Sequence, residues 1–383
     1  MDLDFSEEHE LLRETVRRVC AEHAPLEVVR QMEDDPVGYP PAFWKQLAEI
    51  GVTGILIPEQ YGGSGMGLLD AAIAYEELGR ALAPSPHFPS AVMGAGVLLA
   101  AGSAEQQREW LPRIASGEAI LTPAWLEPDS GFGPRGVRLA ARADGDGFVL
   151  SGVKRHVLFA SAAHRLLVLA RTGEAEPAID LFLVDPQAPG VTMTQQRSLA
   201  SDTQYEVRFD AVRVPAAARI GAAGSGWATW NRVMYDGIVL LAALAMGGAE
   251  RALEITVQYA KERKQFDKPL GAFQAIAHYL ADAATVVDGG KTLVYEAAWA
   301  RDAGRPIARL APMAKLFACQ TWRDVTAMCQ QVWGGVGFTI EYDIQLYFRR
   351  AKQLQITWWD TRHLEELVAA DVLDGDAPFR SGL

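Results

Sequence analysis

Apolar and polar residues follow two different periods along this chain, and the change of period divides it. From residue 1 to about 120, apolar positions recur every three to four residues. "SEEHELLRETVRRVCAEH" opens with Ser6 placed to cap a helix. "AFWKQLAEIGV", "GLLDAAIAYEELGRALA" and "SAEQQREWLPRIASG" repeat the pattern between Pro- and Gly-rich turns, with Ser103 as a second cap. From about 121 to 222 the period falls to two. "VRLAARADGDGFVLSGVKRHV" reads as strands joined at the tight turn DGDG. "RLLVLART", "IDLFLVD", "VTMTQQ" and "YEVRFDAVRVP" read as further strands of a compact β domain.

From 223 the helical period returns in four long stretches. The first is "WATWNRVMYDGIVLLAALAMGGAERALEITVQYAKERKQF" and the last is "IQLYFRRAKQLQITWWDTRHLEELVAADVL". Four long amphipathic helices predict a bundle. The fold class is therefore α+β. An N-terminal α-helical domain (1–120) is followed by a middle β-barrel-like domain (121–222) and a C-terminal four-helix bundle (223–383).

One turn raises a functional question. "QVWGGVGF", Gln331 to Phe338, sets three glycines in four positions between helices. Glycine loses the most backbone freedom on ordering and accepts positive φ, so a helix must end there. The turn either links two helices or offers main-chain amides to an anion.

Composition narrows the choices. In 383 residues, 49% hydrophobic content supplies real cores, and a net charge of −12 disfavours a nucleic-acid surface. Cys20, Cys319 and Cys329 show no CxxC spacing, and no His pair stands near them at ligand spacing. No metal site or disulfide framework is expected, and a reducing cytoplasm fits. "MDLDFSEEHE" lacks an apolar core for a signal peptide, and "GIVLLAALAMGGA" is too short to span a bilayer. A soluble, cytoplasmic protein without a membrane span is expected.

The order of helical and β domains identifies no function by itself; six motifs do. "ERKQFDKPLGAFQAIAH" (262–278) and "QQVWGGVGF" (330–338) resemble the acyl-CoA dehydrogenase family. So do "LEPDSG" (126–131), "GVKRHV" (152–157), "FDAVRVPAAARIG" (209–221) and "YEELGRALA" (75–83), and the match covers nearly the whole chain in order. These flavoproteins desaturate acyl-CoA thioesters between Cα and Cβ. The resemblance implies FAD, an acyl-CoA substrate, and electron-transfer flavoprotein or a similar acceptor. It also implies a homotetramer, or a heterotetramer with a related subunit.

The resemblance places Arg263, Phe266, Phe273 and Gln274 on the ADP portion of FAD, with the backbone from Gln331 through Gly334 and Gly335. In the family these residues reach a flavin held by a neighbouring subunit. An arginine suits pyrophosphate because it can pair bidentately. The plainer reading of Arg263 alone is a surface arginine favouring its helix C-terminus.

The departures from the family pattern concern the chemistry itself. Most members carry a glutamate base after "RRAK…QI"; here that position is Trp358, whose indole is a donor only. A minority carry it early in the first bundle helix, at the position of Gly237 here, and the arginine that commonly follows is replaced by Ile238. Asp236 and Asp360 are the remaining candidate catalytic bases; each also reads as a solvated residue or a cap. The flavin-contacting threonine becomes Leu126, the serine after the glycine Phe132, and the tryptophan and threonine of the next strand His156 and Leu158.

Three functions stay open. The first is an active FAD-dependent acyl-CoA dehydrogenase using Asp236 or Asp360. The second is a non-catalytic subunit that completes the FAD site of a partner dehydrogenase. The third is a flavin oxidase acting on a non-CoA substrate.

Overall fold

The computed structural model describes residues 4–374. Helices α1 (Glu7–His23), α2 (Leu26–Gln31), α3 (Pro41–Glu49) and α4 (Leu68–Arg80) come first. A buried π-helical segment, Phe88–Gly94, runs into α5 (Ala95–Ala101), and α6 (Ala104–Ala115) follows. The strands are β1 (Leu121–Ala124), β2 (Ala140–Asp144), β3 (Gly147–Leu158), β4 (Arg165–Arg171), β5 (Ile179–Val184), β6 (Val191–Gln196), β7 (Gln204–Pro215) and β8 (Arg219–Ile220). Then come α7 (Gly226–Glu262), β9 (Lys264–Gln265), β10 (Lys268–Pro269), α8 (Gln274–Asp302), α9 (Leu310–Trp333), α10 (Ile344–Ile356) and α11 (Thr361–Leu373).

These elements gather into two compact units. One comprises the described residues up to 26, 68–83 and those from 238 onward; the other comprises 27–67 and 84–237. In the first unit Ser6 caps α1 through a capping box with His9. Where α4 crosses α7 the backbones nearly touch. A Cβ added at Gly79 would lie 2.0 Å from the Leu244 carbonyl oxygen, and one at Gly247 would lie 1.8 Å from that of Glu76. Only glycine permits so close an approach. Beside the crossing, buried Glu76 pairs with Arg13 (3.1 Å) and Lys291 (2.7 Å), and Glu77 accepts both arms of Arg17 at 2.8 Å. Such charges are buried only when paired.

The fourth helical stretch differs from its sequence reading. It is two helices, α10 and α11, broken at a corner over 357–360. Trp358 and Trp359 take φ of 52° and 72° there, and Asp360 caps α11 by accepting from the His363 amide at 2.9 Å. Apolar period alone does not register such a cap, because the hydrophobic stripe runs through it.

The second unit is built on one sheet in the order β6-β7-β3-β2-β4-β5-β8, with β1 parallel to β4. The DGDG turn is the β2–β3 hairpin, pairing Asp144 with Gly147 around Gly145 at φ 62°. One face is packed with Leu150, Val168, Phe182, Val207 and Phe209, all buried. Ser103 caps α6 through a capping box with Gln106.

Candidate functional site

The seven residues expected at the ADP half of FAD all lie in the helical unit. α7 ends at Glu262; Arg263 follows, its amide donating to Tyr259 O and its carbonyl accepting from the Leu270 amide, both at 2.8 Å. That second bond closes the β9–β10 hairpin, whose turn residues Phe266 and Asp267 are both left-handed at φ 51° and 62°. A two-residue turn with both φ positive matches the twist of the strands it joins. It presents Phe266 84% exposed, with the Phe273 ring edge-on at 6.4 Å, and Gln274 opens α8 exposed. Among the described residues the Arg263 side chain makes no ion pair.

The glycine turn meets this hairpin through an aromatic stack. Trp333, the last residue of α9, lies 4.0 Å from Tyr259 at 11° between planes, and its Nε1 donates to Thr256 Oγ1 at 3.0 Å. Tyr259 is one turn before Arg263, so the stack sets the glycine turn beside the arginine. Gly334 has φ 68° and ψ −144°, a combination open to glycine. Gln331, Gly334 and Gly335 are exposed, and a Cβ added at either glycine would meet no atom within 4 Å.

The positions at which the resemblance leads one to expect a base hold other residues. Trp358 is 8% exposed. Asp360 spends a carboxylate oxygen on the α11 cap. Gly237 faces the π-helical segment, where an added Cβ would lie 3.0 Å from Met93 Sδ and 3.3 Å from the Phe88 ring. Asp236 is half-buried and engaged within the fold. Being one helical step from Gly237, it points about 100° away from that wall.

The segment bearing Leu126 and Phe132 is anchored by a pair that composition does not reveal. Lys154 is fully buried, with Nζ 2.7 Å from Glu127 Oε1 and 3.2 Å from Trp125 O. The same Oε1 accepts from the Arg138 and Leu139 amides, each at 2.9 Å. Burial pushes the Lys154 pKa down to about 8, against the attraction of Glu127. Leu126 lends only its carbonyl here, to the Arg155 amide at 2.9 Å. Trp125 lies between Trp230 (5.2 Å) and Phe132 (5.9 Å), so aromatic carbon surrounds this stretch. His156 sits exposed on a bulge of β3 at φ 55°, its amide donating to Gln196. The lone lysine in "SGVKRHV" and the one in "LAPMAKLFAC" were the available signals of buried cations.

Comparison with known proteins places this geometry in a family. Acyl-CoA dehydrogenase N-terminal, middle and C-terminal domain profiles match residues 6–118, 123–212 and 224–358. The probable acyl-CoA dehydrogenase YngJ of Bacillus subtilis (strain 168) is 33% identical over 380 residues, covering 97% of this chain and 99% of that protein. Butyryl-CoA dehydrogenase from Megasphaera elsdenii is similar at TM-score 0.91 and 26% identity, over 97% of this chain and 100% of its own. A chain of the ChsE4–ChsE5 complex from Mycobacterium tuberculosis is similar at TM-score 0.88 and 28% identity, over 99% of this chain and 100% of that one.

Proposed function

Because this chain belongs to the acyl-CoA dehydrogenase family, we propose that it is a non-catalytic subunit lending the ADP-side contacts of FAD to a related partner. The observation that carries this reading is an asymmetry. The ADP-side residues are open: Arg263 without an ion pair among the described residues, Phe266 exposed, Gly334 and Gly335 with free space where a Cβ would stand. Both base positions are filled: one by buried Trp358, the other walled by Met93 and Phe88.

The open residues fit half of a dinucleotide. Arg263 would pair with the pyrophosphate, Phe266 and Phe273 would cover apolar surface, and the amides at Gly334 and Gly335 would donate to anionic oxygens. Bound FAD supplies a hydride acceptor, in the partner's own site. This chain's residues bind and orient the ADP end and exclude water from it. Asp360 is a weak choice for a base, since its carboxylate is engaged in capping α11, accepting from the His363 amide at 2.9 Å. The likeness to a chain of a two-protein complex agrees with a mixed assembly.

Flavin counting tests the reading. The chain expressed alone is expected to carry FAD well below one per chain. Co-expressed with a glutamate-bearing acyl-CoA dehydrogenase partner, it is expected to give one FAD per pair of unlike chains. A stable homotetramer with one FAD per chain, reduced by an acyl-CoA, would replace this reading with that of a self-sufficient enzyme in which Asp236 is the base.

A further inference from the structure

The corner between α10 and α11 is gripped from inside the helical unit by one lysine. Lys315, on α9, is fully buried, and its Nζ donates to the carbonyls of Leu354 (3.3 Å), Thr357 (3.0 Å) and Trp359 (2.9 Å). An ammonium has three N–H donors, and each has a carbonyl here. The Leu354 carbonyl lies in the last turn of α10, where its main-chain donor is the Thr357 amide at 3.4 Å. Burial pushes the Lys315 pKa down, while Cys319 and Asp360 act in the opposite sense.

The gripped backbone is strained. Trp358 and Trp359 are consecutive bulky residues in the left-handed region, a conformation that persists only where the surroundings over-determine it. The surroundings do so from two sides. Lys315 holds two carbonyls before the tryptophan pair, those of Leu354 and Thr357, and that of Trp359 within it. Beyond them, Asp360 caps α11, and the Trp359 ring lies 5.2 Å from that of His363.

We propose that Lys315 is a positioning residue that presets the backbone at position 358, the place of the usual base. In this chain the clamp makes Trp358 a fixed wall, and it would orient a carboxylate placed there in the same way. The clamp acts in the same way whether or not the chain is catalytic, since it belongs to how the corner is built. It distinguishes Lys315 from an ordinary core cation, because its acceptors are main-chain atoms of the strained segment and not a carboxylate.

The test uses the full chain labelled with 5-fluorotryptophan, with Trp358→Phe assigning the Trp358 resonance. Two variants are compared. Lys315→Ala removes the amine and leaves a space the shape of propylammonium; Lys315→Met keeps the length without the charge. In both, the Trp358 line is expected to shift or broaden. Amide hydrogen exchange across 357–361 should rise at least about tenfold, the worth of one charge-assisted hydrogen bond. Propylammonium chloride should restore the line and the protection in Lys315→Ala, and 1-propanol should not. A folded Lys315→Met protein with an unmoved line and unchanged exchange would overturn the proposal. So would equal rescue by propanol, which would mean that the lysine only fills space. If Lys315→Ala does not fold, the Lys315→Met comparison decides alone.

Discussion

Replacing Lys154 with methionine tests how the segment carrying Leu126 and Phe132 is held. The substitution keeps the length of the side chain and removes one partner of a buried pair. Glu127 would keep the Arg138 and Leu139 amides but lose the ammonium at 2.7 Å. Breaking a buried pair from one side costs roughly 3–5 kcal/mol. The two retained amides soften that, so a loss of about 3 kcal/mol is expected. Glu127→Gln should cost less, because the stranded lysine already has its pKa pushed down to about 8 and can shed its proton. The double variant should be more stable than the sum of the singles implies, by about 2 kcal/mol, since the pair is lost only once. Urea unfolding of the four proteins at pH 7 measures all of this. A Lys154→Met loss under 1 kcal/mol, or additive singles, would refute the account of Glu127 as the anchor.

Three further outcomes are expected. His87 is buried, with Nε2 2.8 Å from Val52 O; burial lowers its pKa from 6.5 to about 4, against the favourable effect of that bond. The unfolded chain takes up the proton first, so this contribution is whole above pH 6.5 and is lost as pH falls toward 4. It amounts to at most about 3 kcal/mol, and a pH series of unfolding midpoints for His87→Gln should show a flatter acid limb. Asp360→Ala should lose about 1 kcal/mol of thermal stability as a missing cap, and Asp360→Asn almost none. Gly247→Ala should destabilise by about 1–3 kcal/mol despite a better helix propensity, because the clashing atom is a backbone carbonyl that cannot turn aside. Calorimetry reads both.

Much of the architecture was legible because it rests on period and punctuation. Ser6 and Ser103 cap where expected, DGDG makes its hairpin, and the helix before Gly334 stops at Trp333. What escaped was whatever depends on tertiary approach. The break at Trp358 lies inside a continuous apolar stripe, and its cause, Lys315, is more than forty residues earlier. The residues expected on the ADP side were legible as two motifs, but the stack of Tyr259 on Trp333 that links the ends of α7 and α9 was not. Nor could the sequence say that Gly237 faces a wall, since Phe88 and Met93 arrive from a distant π-helical turn.

The exposed apolar side chains also bear on how much of this protein a cell can keep. Phe266 is 84% exposed on the hairpin, and Phe338 and Ile340 are 72% and 76% exposed just past the glycine turn. Surface apolar groups of that size invite chaperones, proteases and self-association. A chain made in excess of whatever covers them is cleared, and one matched to its cover persists. If the proposed partner subunit is that cover, steady-state abundance follows its supply rather than the rate of synthesis, which favours producing the two chains from one transcript.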